Sequence, residues 1–365
     1  MNNSSALMNP DGGDDAWRDD SQPALDNLMA RILERDNVRR AWERVKSNRG
    51  APGSDGMTLD DFPAYAREHW GEIRQSLMDG SYQPRPVRRV VIPKPKGKGE
   101  RKLGVPCVVD RVIQQAILQV LSPIFDPGFS ESSFGSRPKR SAHGAIRQVK
   151  TVVKAGYRYA VDLDLEKFFD TVNHDVLMSR IARKVTDKVL LRLIGRYLRA
   201  GVLVAGTIEA TDWGTPQGSP LSPLLSNLLL DDLDKELEAR GHRFVRYMDD
   251  LVILVKSRRA GRRVMAKISH YLTQKLKLKV NREKSRVVKI EDLEYLGFTF
   301  RGILLRNAAR TDRRIPPSTQ RLQTPAQGVN FPELGSLDGR TNRTVEPILA
   351  RLDELLWHFP TLPSH

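Results

Sequence analysis

The sequence predicts an α+β fold built on an antiparallel sheet with helices on one face, and three segments predict it. YRYAVDLD (Tyr157 to Asp164) alternates with period two, as a half-buried strand does. HRFVRYMDDLVILVKS sets two apolar strands, Phe244 to Tyr247 and Leu251 to Val255, on either side of a tight connection. Between them, Ser222 to Leu237 repeats leucine at helical intervals.

Composition narrows the function. The chain has 365 residues, with 60 Lys and Arg against 44 Asp and Glu, a formal net charge of +16. Hydrophobic residues make up 39%, enough for a sizeable core in one large or two modest domains. Such a charge excess repels itself unless an anion neutralises it, which points to nucleic acid or an anionic surface. No run approaches the roughly 20 apolar residues of a spanning helix, and the N-terminus lacks the basic-then-apolar order of a secretion signal. No membrane partner is therefore expected. The single cysteine, Cys107, excludes an internal disulfide and a cysteine-rich zinc site, and fits a reducing, cytoplasmic setting.

Taken in order, residues 1–24 read as a loose acidic leader with Asp11, Asp14, Asp15, Asp19 and Asp20 and little apolar surface. From Leu25 to about Lys46, the spacing of Leu28, Ile32, Leu33 and Val38 predicts one amphipathic helix, ended by the glycine-rich turn GAPGSDG. YQPRPVRRVVIPKPKGKGERKLGVP then holds an extended VVI segment among prolines and basic residues, and a second basic stretch runs from Arg137 to Lys154. Two such stretches in one folded body favour a polyanion groove.

The chemistry begins with the acids. The first strand delivers Asp162 and Asp164 to one face, and the hairpin presents Asp249 and Asp250. Adjacent carboxylates repel unless a cation sits between them, and hard oxygen ligands suit magnesium. A carboxylate cluster holding two Mg2+ about 3.5–4 Å apart serves in-line nucleotidyl transfer. One metal activates the attacking 3′-hydroxyl and the other holds the triphosphate and leaving group. In WGTPQGSPLSPL, Gly214, Pro216, Gly218 and Pro220 form a tight loop whose backbone can approach a nucleotide before the helix begins.

With these motifs in this order, the sequence resembles the reverse transcriptases of the bacterial group II intron family, which are retron-like and maturase-related, from about Asn48 to Arg301. NRGAPGSDGMTLDDF resembles the N-terminal extension motif of that family. The basic VVI segment, DRVIQQAI and FSESSFGSRPKRSAHGAI resemble the blocks of its fingers. VDLDLEKFFDTVNHD is similar to the first catalytic block, GTPQGSPLSPLLSNLLL to the substrate-binding block and RYMDD to the metal-binding hairpin. LKVNREKSRVV and YLGFTF resemble the closing palm blocks. The usual group II hairpin reads YADD, whereas this chain has Met248, as in other reverse transcriptases.

The resemblance implies a right-hand polymerase with an N-terminal extension and fingers over 25–154 and a palm over 155–301. It implies an RNA-directed DNA polymerase in which Asp164, Asp249 and Asp250 are catalytic and hold two Mg2+, with Mn2+ as a substitute. Asp164 is favoured over Asp162 because the phenylalanine pair then places Phe169 five residues on, where the family has its steric gate against a ribose 2′-OH. Lys94 and Arg101 match the positions that clamp the incoming triphosphate, Gln217 the position near the nascent base pair, and Tyr247 the position beside the primer end. The implied partners are an RNA template, a DNA or RNA primer, dNTPs and structured intron RNA. Residues 302–365 depart from the family's thumb: Pro316, Pro317, Pro325 and Pro332 interrupt any helix, and only Val345 to Trp357 has helical spacing. A missing or degenerate thumb is expected, and one cysteine cannot supply the zinc-binding endonuclease domain of some members. The alternatives are a catalytically impaired, maturase-like RNA binder and a host-retained enzyme in phage defence. The intact acidic triad favours the polymerase.

Overall fold

The computed structural model describes residues 27–93, 100–204, 206–209, 214 and 218–300. The expected leader and the divergent tail lie outside them. Where one N-terminal helix was expected there are two, α1 (Leu28–Ile32) and α2 (Arg35–Ser47). Next come α3 (Phe62–Met78), whose Phe62 ring lies 4.6 Å from Trp42 of α2, and α4 (Val108–Phe125). The break between α1 and α2 has a cause. The buried Asn37 amide donates to Ile32 O (2.9 Å) and to Ala116 O of α4 (3.1 Å), standing in for a backbone N–H at the end of α1.

α4 is long and apolar enough to cross a membrane by length and composition, which the sequence reading did not anticipate. However, 78% of that stretch is buried inside the protein, and Asp110 and Arg111 lie within it, so it is a core helix. Its fully buried Val112, Ile117 and Leu121 each contribute roughly 1.5–3 kcal/mol of burial.

The described strands form two four-stranded sheets and a two-stranded ribbon. The first sheet joins β1 (Val87–Pro93) and β2 (Glu100–Val105), an antiparallel pair, to the short strands β4 (Val202–Val204) and β5 (Thr207–Glu209), in the order β2-β1-β4-β5. The second contains β3 (Tyr159–Leu163), β6 (Arg243–Tyr247), β7 (Asp250–Val255) and β8 (Arg286–Lys289), in the order β6-β7-β3-β8 and antiparallel throughout. The expected hairpin is therefore present, with Asp250 already in its second strand.

Period-two alternation sends the two sets of side chains of this sheet into separate cores. Val161, Leu163, Ile253 and Phe244 join the larger core together with α9 (Ser222–Ala239) and α10 (Arg258–Lys275). Ala160, Val245, Val252 and Leu254 face the other way, against Ala145, Ile146 and Val149 of α5 (Ala142–Lys154). Helices were expected on one face, and α5 covers the second as well. It is joined there by the ribbon of β9 (Glu294–Tyr295) and β10 (Phe298–Thr299). The remaining helices are α6 (Phe168–Thr171), α7 (His174–Ile181) and α8 (Lys188–Arg199).

Candidate active site

β3 ends at Leu163, and the chain leaves the sheet at Asp164. A strap of residues 279–285 holds this exit through its backbone. Asn281 N donates to Asp164 O (2.9 Å), Asp164 N donates to Ser285 Oγ (3.1 Å), and Glu166 N donates to Lys279 O (2.8 Å). The strap also brings Lys284 Nζ to 3.7 Å from Asp164 Oδ2. Asp162 is engaged elsewhere: Arg286 Nε donates to its Oδ2 at 3.3 Å. Burial pushes the Asp162 carboxyl up, and the Arg286 bond pulls it back.

The second acidic element is the β6–β7 hairpin. Tyr247 pairs with Asp250, so Met248 and Asp249 form a two-residue connection with Met248 in the left-handed region at φ +58°. The register of β3 with β7 pairs Leu163 with Leu251. Continued by one step, that register carries the chain from Leu163 into Asp164 and from Leu251 back to Asp250, and both acids line one groove. Antiparallel partners point to the same side, so two strands that meet only on folding bring their acids together.

These acids line an open groove of about 2010 Å³. Small-molecule pockets hold roughly 300–1,000 Å³, so this groove is of polymer size. Phe169 and Tyr247 line it beside the acids, as do Gly218 and Ser222 at the start of α9 and Lys102 of β2. Phe169 packs edge-on against Phe168, with ring centroids 5.2 Å apart. Burial and then Asp250 push the Tyr247 phenol up. Arg101 lies on β2 opposite Ile92. Lys94 and Gln217 lie outside the described residues.

Lys279, Arg282, Lys284 and Arg262, none of them among the site residues expected from sequence, all line the groove. LKVNREKSRVV was legible as a block, but its packing against Asp164 spans more than a hundred residues and has no local signature.

The donor set suits a divalent metal of the magnesium type. Asp164, Asp249 and Asp250 offer only hard oxygens to one groove. Among the described residues, no three His, Cys, Asp or Glu side chains already form a closed ligand cluster.

An antiparallel sheet that presents carboxylates to a polymer-sized groove with basic walls defines a nucleotidyl-transfer polymerase of the right-hand class. Residues 92–300 match the family described as reverse transcriptase (RNA-dependent DNA polymerase), and the chain belongs to that family. It is 32% identical over 318 residues to protein YkfC of Escherichia coli (strain K12), covering 76% of this chain and 82% of that one. It is 38% identical over 219 residues to the group II intron-encoded protein LtrA of Lactococcus lactis subsp. cremoris, covering 59% of this chain and 36% of that one. The chain thus spans most of YkfC and about a third of LtrA. Among solved structures, a partial Cas6-RT-Cas1–Cas2 complex is similar with a TM-score of 0.44 at 26% identity, over 68% of this chain and 42% of that one. Membership of the family brings with it use of divalent metal and binding of an RNA template.

Proposed function

We propose that the chain is the RNA-directed DNA polymerase of a group II intron-like mobile element, acting in the cytoplasm and adding dNTPs to a primer 3′-OH on an RNA template. The observation that supports this reading is that Asp164, Asp249 and Asp250 all line the same groove. Asp164, Asp249 and Asp250 would hold two Mg2+, or Mn2+ in their place. The chemistry supplied by the bound ions is activation of the 3′-hydroxyl and neutralisation of the leaving pyrophosphate.

The chain's own residues orient the reactants. Phe169 sets a bulky ring in the groove where a ribose 2′-OH would clash, so dNTPs are preferred. Tyr247 supports the primer end from the strand that leads into the acids. By resemblance to the family, Lys94 and Arg101 would set positive charge against the triphosphate, and Gln217 would act near the nascent pair. Arg262 and Arg282 add cationic wall for the phosphates of template and primer. Structured intron RNA is the proposed natural template, and relatives such as LtrA support that choice.

The test is primer extension by purified protein with poly(rA)/oligo(dT), dTTP and Mg2+. Wild type should extend the primer, and the Asp249→Asn, Asp250→Asn double variant should not. Equal extension by both proteins would remove the catalytic assignment, and no extension by either would favour the RNA-binding remnant.

A further inference from the structure

Arg246 is the largest fully buried side chain among the described residues. It lies on β6, three residues before Asp249, and its guanidinium has three partners. Nε donates to Asp234 Oδ1 (2.8 Å) and Nη2 to Asp234 Oδ2 (2.5 Å), a bidentate pair with α9. Nη1 donates both to Asn227 Oδ1 and to the Met248 carbonyl oxygen, each at 2.9 Å.

The main chain around it is equally committed. Arg246 N donates to Ser132 O and Phe134 N donates to Arg246 O, both at 2.9 Å, so residues 132–134 run as an added edge beside β6. Asn227 Nδ2 then donates to Gly135 O (2.9 Å). Gly135 presses so closely on the turn that a Cβ there would stand 2.4 Å from Met248 N. The turn is thus gripped from outside by a glycine and from beneath by a guanidinium.

Stability alone does not call for this arrangement. A buried ion pair replaced by well-packed apolar side chains is often neutral or more stable. An apolar pair cannot, however, donate a hydrogen bond to Met248 O. Met248 needs holding, since its left-handed conformation brings Cβ too close to the following carbonyl oxygen.

We infer that Arg246 is a positioning residue for the acidic turn: clamped by Asp234 and Asn227, it pins the Met248 carbonyl and thereby sets the direction in which Asp249 and Asp250 enter the groove. This rests on the reading of those two acids as metal ligands. A lysine would keep the charge opposite Asp234 but has no planar fork to span Asp234 and Met248 together.

The experiment compares Arg246→Lys and the double variant Arg246→Met, Asp234→Leu with wild type and with Asp249→Asn. It reads the thermal midpoint, kcat and KM for dTTP, and Mn2+ affinity from the electron paramagnetic resonance of the free ion. The folded Arg246 variants should lose about 10- to 100-fold in kcat or metal affinity, with KM for dTTP nearly unchanged. If the double variant does not fold, Arg246→Lys, which leaves no charge unpaired, decides alone. An Arg246 variant with wild-type kcat and Mn2+ affinity would overturn the positioning role, provided that Asp249→Asn is inactive and binds Mn2+ poorly. Full activity and full Mn2+ binding in Asp249→Asn would instead overturn the underlying reading of the acids.

Discussion

Asp164 and Asp250 line the same groove, each next to one of the paired residues Leu163 and Leu251 of the two central strands. Each acid has its backbone held by a segment that comes later in the chain. Asn281 N and Ser285 Oγ bind the main chain of Asp164, and the Tyr295 hydroxyl donates to Asp250 O (3.2 Å). The site is therefore fixed at its backbone before any ligand enters.

The two acids of the first strand should behave differently. Asp164 lines the groove, while Asp162 pairs with Arg286 and does not. Asp164→Asn is expected to lower primer extension by at least about 100-fold. Asp162→Asn should keep activity within a few-fold of wild type and mainly change the thermal midpoint. Steady-state kinetics on both variants checks the assignment.

Phe169→Ala should admit rNTPs. The ring lines the groove beside the acids, and its removal opens space for a 2′-hydroxyl. The ratio of kcat/KM for dTTP over UTP is expected to fall by at least about 10-fold. An unchanged ratio would take the gate away from this residue.

Gly214 lies against the backbone of Phe169 and Asp170. Its φ is +93°, a Cβ on it would meet Phe169 O at 2.7 Å, and its carbonyl is 2.7 Å from His174 Nε2. Because a carbonyl only accepts, Nε2 carries the proton. Gly214→Ala should destabilise the fold by about 1–3 kcal/mol and raise KM for dNTPs more than it lowers kcat. Urea unfolding and the kinetic split measure the two effects.

Stability should depend on pH through Asp110. It is buried at the start of α4, where it accepts from the Tyr82 hydroxyl (2.9 Å) and from Arg85 N (3.2 Å). Burial pushes its carboxyl up to about 6, from 3.8. Between those values the folded protein keeps a proton that the unfolded chain has lost. The contribution is therefore fully present below about pH 4 and is lost as pH rises through about 6. Relative to Asp110→Asn, wild type should lose roughly 2–3 kcal/mol between pH 4 and pH 7. A difference that stays flat across this range would remove Asp110 as the source.

RNA binding should weaken steeply with salt. For six to eight phosphate contacts, the slope of log K against log salt is expected near −4 to −6, and Arg262→Ala should lessen it by about 0.7. Fluorescence anisotropy of a labelled single strand across a salt series measures both.

Local pattern carried the parts of this fold that are local. The helix expected over Ser222 to Leu237 runs to Ala239, and the hairpin strands differ from expectation by one residue at each start. Period-two spacing in YRYAVDLD gave the strand, which runs from Tyr159 and ends at Leu163, one residue short of Asp164. What escaped depends on contacts between distant segments. The break before α2 is written in the reach of Asn37 to Ala116, and hydropathy alone cannot register it. The second covered face of the acid-bearing sheet depends on α5 meeting β6, and the strap on Asp164 arrives from residue 279 onward.

The order of the strands also sets a timetable for synthesis. β3 carries the first acid to its exit near residue 164, but its neighbour β7 ends at residue 255 and β8 at residue 289. At about 5–20 residues per second, β3 leaves the ribosome several seconds before it has a partner on either side. β1 pairs with β2 as soon as both have emerged but waits for the parallel pairing of Val87 with Val202. The nascent chain thus carries β3 as an unpaired apolar strand through that interval, and chaperone occupancy during it should govern the yield of folded enzyme.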